Sequence, residues 1–326
     1  MTEEPTIDPL WEVLGAVRMT GGVFLDAQFT APWCVDASTD IGDFEPWLAN
    51  TQQVVAYHYV ISGLMKIATV DGREPIEVRA GEAVLLSRND GHIVGSELRP
   101  RPIHVKTLLQ PSEQGGLNRI VHGGGDEPTH IFCGFLGSNQ FRNPLFETLP
   151  SILKIDLASA GSSEWMEASW RLAISGLQQG RLGSSAVMSR LSELMFVEAV
   201  RNYAATLPPG QTGWLAGMRD PAVGKALALM HARVNHGWTA EELAKIVAMS
   251  RTSFSDRFAA LVGLPPMRYL TAWRMQLAQE KLRTTGQSIA QIAYDVGYEA
   301  EEAFTRAFKR EFGLPPAAWR REARPN

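Results

Sequence analysis

Two hydrophobic periodicities divide the chain. Between about residues 20 and 155, short apolar runs alternate with turn signals. The β-branched and aromatic run 54–61 ends at Ser62-Gly63, and 64–70 ends at Asp71-Gly72. The runs 76–79, 82–86, 92–94, 103–109 and 129–135 continue the series. Strands this short and this regularly punctuated predict a sandwich or barrel of jelly-roll type. Gly123-Gly124-Gly125-Asp126 reads as a hairpin turn. It is not a phosphate loop, because no Lys-Ser/Thr follows.

Near Ser163 the period becomes helical. Ser162 or Ser163 caps a helix over 164–178 that Gly180 ends, and Ser184 or Ser185 caps a longer one through Ala204. Val187, Met188, Leu191, Leu194, Met195 and 197–200 form a broad apolar stripe on the second. Such a stripe serves either the core of its own domain or a dimerisation surface. The stretch 207–218, opening Leu207-Pro208-Pro209-Gly210, reads as a linker, after which Asp220 at N-cap and Pro221 at N1 open a further helix.

From there one helical unit occurs twice. Phe254 and Phe304, Phe258 and Phe308, and Gly263 and Gly313 are each 50 positions apart; upstream, Leu243-Ala244 and Ile292-Ala293 are 49 apart. A one-residue difference in the turn between two helices is what a structural repeat tolerates. In the first unit Thr239 caps a helix with Glu241 and Glu242 in its positive first turn, and Ser250 caps the next. Phe254 and Phe258 face inward there, which leaves Arg251, Thr252, Ser255, Asp256 and Arg257 for a groove. In the second unit Ser288 caps the first helix and 301–312 is the recognition helix. Phe304, Phe308 and Phe312 point in; Glu301, Glu302, Thr305, Arg306 and Lys309 point out. Arg320 and Arg321 are placed to hold phosphates. The connector 266–284 is unbroken. Nineteen residues at ~1.5 Å rise span ~28 Å, close to the ~34 Å between successive major-groove windows. Two helix-turn-helix units on such a connector read as one DNA-binding domain.

Charge sharpens this picture. The 326 residues carry a net charge of −4, yet residues 219–326 hold 16 basic against 11 acidic side chains, leaving 15 against 24 elsewhere. A basic segment on an acidic body suits one part that faces phosphates. Apolar content of 45% and charged content of 20% fit a soluble, folded protein of two domains and exclude disorder. No run approaches the ~20 apolar residues of a membrane span. The acidic, Pro-containing residues 1–10 do not resemble a signal peptide. Cys34 and Cys133 make no disulfide framework, so a cytoplasmic setting is expected.

Residues 250–258, Gly263-Leu264-Pro265-Pro266, Tyr269, Arg274, Leu282, Ile292-Ala293, Gly297-Tyr298, Phe304-x-Arg306-x-Phe308-Lys309, Phe312-Gly313 and Trp319-Arg320 resemble the AraC/XylS family of bacterial transcription regulators. The resemblance covers about 219–322. It implies base contacts from Thr252, Ser255 and Asp256 in the first unit and from Glu301, Glu302, Thr305 and Arg306 in the second, with RNA polymerase as a partner. Asp256 stands where the family often has a basic residue; an acid there accepts from cytosine N4 or repels phosphate. Glu301 and Glu302 are better read as helix-dipole residues than as base contacts. Arg306 either reads a base or pairs with Glu302.

Tyr57-His58-Tyr59, Arg79-Ala80-Gly81-Glu82-Ala83-Val84 and Gly91-His92, with Ala31-Pro32-Trp33 and Phe132-Cys133-Gly134-Phe135, are similar to the cupin-type sensor domains that precede AraC-family readers. Metal-dependent cupins use a His-x-His pair, a Glu and a third His. Here Tyr59-Val60 follows His58, and residues 64–67 hold no Glu at the expected place. No metal and no cofactor is expected; His58 and His92 then read as hydrogen-bonded barrel histidines. Trp33, Tyr57, His58 and His92 are the candidate effector contacts.

The expected architecture is α+β and multidomain: a cupin-like β-barrel over 1–158, a helical dimerisation or connector segment over 159–206, a linker over 207–218 and a double helix-turn-helix domain over 219–326. The expected function is a DNA-binding transcription regulator, not an enzyme, acting on a double-stranded DNA operator. A small-molecule effector in the barrel would control it, and it would be a homodimer without a membrane partner. The alternatives are a cupin-type metal-dependent enzyme fused to a DNA-binding module, or a ligand-independent regulator whose barrel serves dimerisation.

Overall fold

The computed structural model describes residues 19–40, 42, 51, 53–72, 74–99, 101–110, 117–138, 144–157, 163–181, 184–208 and 211–323. The candidate cap Ser162 and the acidic stretch 1–10 lie outside them. The chain divides into two compact units: one holds the described residues of 18–139 and 149–205, the other those of 140–148 and 206–326.

The N-terminal unit contains β1 (Met19–Thr30), β2 (Cys34–Asp36), β3 (Gln53–Ser62), β4 (Leu64–Thr69), β5 (Ile76–Arg79), β6 (Glu82–Leu86), β7 (His92–Gly95), β8 (Ile103–His104), α1 (Val105–Leu108), β9 (Asn118–Gly123), β10 (Pro128–Ser138) and β11 (Ile152–Asp156). They form a six-stranded sheet in the order β11-β6-β3-β10-β1-β9 and a five-stranded sheet in the order β5-β4-β7-β2-β8. The alternation of β4 buries Met65, Ile67 and Thr69. With Ala56, Val60, Val78, Val84 and Val94, Met65 and Ile67 belong to a single apolar core.

Strand β3 breaks the alternation, because every residue over 54–60 is buried. The reason is a second layer, α3 (Ser163–Gln178) and α4 (Ser184–Thr206), which packs on this sheet. Trp170 of α3 meets Tyr57 edge-on at 5.6 Å, Tyr59 at 5.5 Å and Phe132 at 6.3 Å. Ser192 of α4 donates to the Met188 carbonyl at 2.8 Å, so the Tyr57 hydroxyl donates to Ser192, also at 2.8 Å. Gly134, the cross-strand partner of Tyr57, leaves room for that ring: a Cβ there would lie 2.3 Å from the Tyr57 hydroxyl. The apolar stripe of α4 therefore supplies core to its own unit through Met188, Met195, Phe196, Ala199 and Val200, while Val187 stays exposed.

Two local expectations are corrected. The run 103–109 is a strand only at Ile103–His104; the His104 ring then accepts from the Lys106 amide and caps α1. The Gly123–Asp126 turn joins no hairpin. Strands β9 and β10 lie on opposite sides of β1, β9 parallel to it and β10 antiparallel, so the turn crosses the Thr30 end of β1.

The C-terminal unit contains α2 (Pro144–Thr148), α5 (Trp214–Arg219), α6 (Pro221–Ala232), α7 (Ala240–Ile246), α8 (Arg251–Val262), α9 (Pro266–Thr284), α10 (Ile289–Asp295), α11 (Glu301–Phe312) and α12 (Pro316–Ala323). The stretch read as linker carries α5 from Trp214, because Trp214, Leu215 and Met218 fall on one buried face. Asp220 caps α6 through the amides of Ala222 and Val223, and Thr239, Ser250 and Ser288 cap α7, α8 and α10. Gly263 and Gly313 end α8 and α11 in the left-handed conformation, at φ 85° and 79°.

One helix serves two cores. The first half of α9 buries Tyr269, Leu270 and Trp273, with Tyr269 meeting Phe258 of the first unit edge-on at 5.8 Å. The second half gives Met275, Ala278 and Leu282 to the cluster of Ile292, Val296, Phe304 and Phe308. In the first core Trp214 donates to the Tyr269 hydroxyl at 2.8 Å, which leaves Tyr269 to donate to His231 Nε2 at 2.7 Å. The His231 ring also stacks on Trp273 at 4.1 Å. Burial lowers the His231 pKa to about 3, and its role as acceptor needs the neutral ring.

Trp170→Ala is expected to cost the N-terminal unit about 3–5 kcal/mol, since three buried rings lose their common partner. Urea unfolding measures it, and a loss below about 1 kcal/mol contradicts this packing. His231 gives a second prediction. Below pH ~6.5 the unfolded chain takes up the proton and the folded chain refuses it until about pH 3, so stability falls on acidification. From pH 7 to pH 5 this group costs about 2 kcal/mol at ~1.4 kcal/mol per unit. His231→Gln keeps an acceptor for Tyr269 and should lose that slope; equal slopes in the two chains would refute the assignment.

Candidate nucleic-acid interface and barrel cavity

The two recognition helices present their outward residues unequally. On α8, Phe254 and Phe258 are buried, Arg251, Thr252 and Asp256 are exposed and Ser255 is half-buried. Arg257 does not remain free: its guanidinium donates to Asp220 through Nε at 2.8 Å and is ion-paired there. Burial pushes the Asp220 carboxyl up, but the Arg257 hydrogen bond, the amides it caps and the Arg257 charge hold it below its ordinary value. The recognition helix of the first unit is thus pinned to the N-cap of α6. On α11, Phe304, Ala307 and Phe308 are buried, Glu301, Glu302, Arg306, Lys309 and Arg310 are exposed and Thr305 is half-buried. Glu301 and Glu302 sit in the first turn and Lys309 and Arg310 in the last, each favourable to the helix dipole.

Arg320, expected at a phosphate, is drawn inward. It is half-buried and donates through Nη2 to the Gln287 carbonyl at 2.7 Å, closing the turn before α10. That turn is also tied by Asp295, which accepts from Lys281 at 2.8 Å, Gln287 at 3.0 Å and Gln291 at 2.9 Å.

Arg274 is the residue that outward-facing patterns miss. It lies midway along α9 and donates to the Val234 carbonyl at 2.9 Å and the His236 carbonyl at 2.7 Å, both in the turn between α6 and α7 of the first unit. Its guanidinium also lies 6.0 Å from the Tyr298 ring centroid in the second unit. Gly297 makes this approach possible, because a Cβ there would meet the guanidinium at 2.6 Å; its φ of 84° also favours glycine. The other copy of this turn has Ala248 at φ 55°. One side chain therefore braces both helix-turn-helix units against the shared helix. The sequence signal was an arginine at the centre of an otherwise apolar stripe.

In the N-terminal unit, period-two alternation separates the candidate effector contacts. His58 faces the interior and lines a cavity of about 390 Å³. Tyr57 faces the opposite side, against α3 and α4, and does not reach the cavity. Trp33 is 2% exposed in the core, stacked on Phe29 at 4.0 Å and 9°; Phe29 lines the cavity and Trp33 does not. His92 lies behind His58, also off the wall.

The buried imidazoles form an ordered chain with Cys133, the register partner of His58. His92 Nδ1 lies 2.9 Å from the Asp90 carbonyl, which can only accept, so that nitrogen carries the proton. His92 Nε2 therefore accepts from His58 Nε2 at 2.7 Å, and His58 Nδ1 accepts from the Cys133 thiol at 3.0 Å. Burial, then mutual repulsion, pushes the His58 pKa down; burial also pushes His92 down and the Cys133 thiol up. The three groups stay neutral. Both nitrogens of His58 are engaged, so the set does not fit a metal centre, and among the described residues no other cluster of His, Cys, Asp and Glu offers one.

A model of the cupin family matches residues 8–205, and a helix-turn-helix domain model matches residues 243–322. A putative AraC-like transcription regulator of Streptomyces antibioticus is 29% identical over 98% of this chain and 100% of its own length. A second, from Streptomyces lividans, is 32% identical over 83% of this chain and 88% of its length. The RCS-specific HTH-type transcriptional activator RclR of Escherichia coli is 30% identical over 86% and 88%. The fold and these matches define a DNA-binding transcription regulator built from a cupin domain and a helix-turn-helix domain. The chain belongs to the AraC-like family of transcription regulators. Among the described residues no helix is long and apolar enough to cross a membrane.

Arg306→Ala is expected to cost about 1–3 kcal/mol of operator binding and to relax preference at one base position. Arg257→Ala, at a side chain already committed to Asp220, should leave base preference intact. Titrations of both variants on operators changed one base pair at a time decide it; unchanged affinity and preference in Arg306→Ala count against the contact.

Proposed function

We infer that the protein regulates transcription by binding a double-stranded DNA operator in the cytoplasm, without catalysis, under the control of a small molecule held in the barrel cavity. Arg306 and Lys309 on α11, with Arg251, Thr252 and Ser255 on α8, are the operator contacts in this reading; Asp256 discriminates at the first site, and Glu301 and Glu302 serve the helix dipole. RNA polymerase and a second copy of the chain are its protein partners. The observation that carries the reading is the pair of exposed recognition-helix faces joined by α9, in a chain whose other unit holds an apolar cavity. The satisfied His58–His92–Cys133 chain supports a binding role for the cavity over a catalytic one. A ligand that binds one sensor state better shifts the DNA-competent population by that difference in affinity.

Selection of full-length protein on a random duplex library is expected to return two short motifs about one helical turn apart, ~10 base pairs, with the motif read by α11 the more sharply defined. A selected pool without sequence preference would overturn the reading.

A further inference from the structure

The cavity wall specifies its ligand further than "small molecule". Leu25, Ala27, Phe29, Ile120 and Ile131 form much of the interior surface, and the short side chains of Ala27 and Ala37 leave part of the space open. The volume of about 390 Å³ holds on the order of ten non-hydrogen atoms at the ~30 Å³ that a water occupies in the liquid. The deep polar groups on the wall are His58 and Cys133. Their bonding is closed among themselves: thiol to Nδ1, Nε2 to His92, and His92 to the Asp90 carbonyl. A ligand hydroxyl or charge placed there would find no free partner and would break a bond of the chain to make one. Each such unpaired group lowers affinity on the order of tenfold to a hundredfold. Of the remaining polar lining, Thr39 and Asn118 are half-buried and Lys106 is exposed; Lys106 and the exposed Leu109 mark the mouth beside α1.

Resting on the reading of the barrel as an effector site, we propose that its ligand is an uncharged, mainly hydrocarbon molecule of about ten heavy atoms, inserted past α1 with any polar group left at the mouth. Sugars, amino acids and nucleotides are excluded by the satisfied wall; the apolar chain is selected by it.

The test uses the full-length protein and three probes: 1-octanol, octanoate and glucose, the first two matched in length and different in charge. Calorimetry at pH 7.5 should give saturable binding of one octanol per chain, octanoate at least tenfold weaker, and no heat of binding from glucose. Ala27→Leu fills the interior and Ala37→Leu fills the wall nearer the mouth; each should weaken octanol at least tenfold in whichever of the two keeps the wild-type circular dichroism. Equal or tighter binding of octanoate or glucose, absence of octanol binding, or undiminished octanol binding in a folded cavity-filled variant would each overturn the proposal. Operator affinity with and without octanol separates the two levels. Binding that shifts DNA affinity supports both, while binding that leaves it unchanged keeps the ligand class and removes effector control. A DNA response to octanoate or glucose instead keeps effector control and removes the ligand class.

Discussion

At β3 the six-stranded sheet is buried on both faces, and the N-terminal unit follows from that constraint. One face closes on the five-stranded sheet and makes the cavity wall. The other is covered by α3 and α4 through Trp170 and Ser192. Adjacent residues of β3 therefore do unrelated work: Tyr57 anchors a helix, His58 lines a cavity, and Tyr59 returns to the helices. Shifting the register by one residue would put the imidazole against the helices and a tyrosine into the cavity.

In the C-terminal unit a single helix answers for geometry. Because α9 contributes to both cores, the two helix-turn-helix units cannot drift apart without exposing Trp273 or Met275. Arg274 adds direction to that apolar attachment through two carbonyl bonds on one side and an aromatic ring on the other. The repeat is symmetric in its left-handed C-cap glycines and phenylalanines and unequal in its charges. The first recognition helix spends Arg257 on its own scaffold, while the second keeps Arg306, Lys309 and Arg310 exposed.

Buried histidines in both units are kept neutral by burial and ordered by the same device. A group of fixed polarity ends each chain: the Asp90 carbonyl, which only accepts, and the Trp214 indole, which only donates. Every proton between is then assigned. Burial depresses the pKa, but the ordered partners decide the tautomer.

Much of this was legible in the chain itself. The period-two runs named seven segments of the barrel, and only 103–109 changed character, because His104 can cap a helix turn. The fifty-residue repeat located both recognition helices, the capping residues and the connector 266–284, since caps, left-handed glycines and apolar spacing are local properties of a few residues. What needed the tertiary structure was every choice between faces and partners. No local rule says that both faces of β3 are covered, so Tyr57 and His58 look equally eligible for a cavity. None says that Arg257 meets Asp220 or that Arg320 turns back to Gln287, because those partners are brought together by helix packing across 37 and 33 residues. Local sequence determined which helices and strands form; contacts between distant residues decided which side chains remain available to a ligand or to DNA.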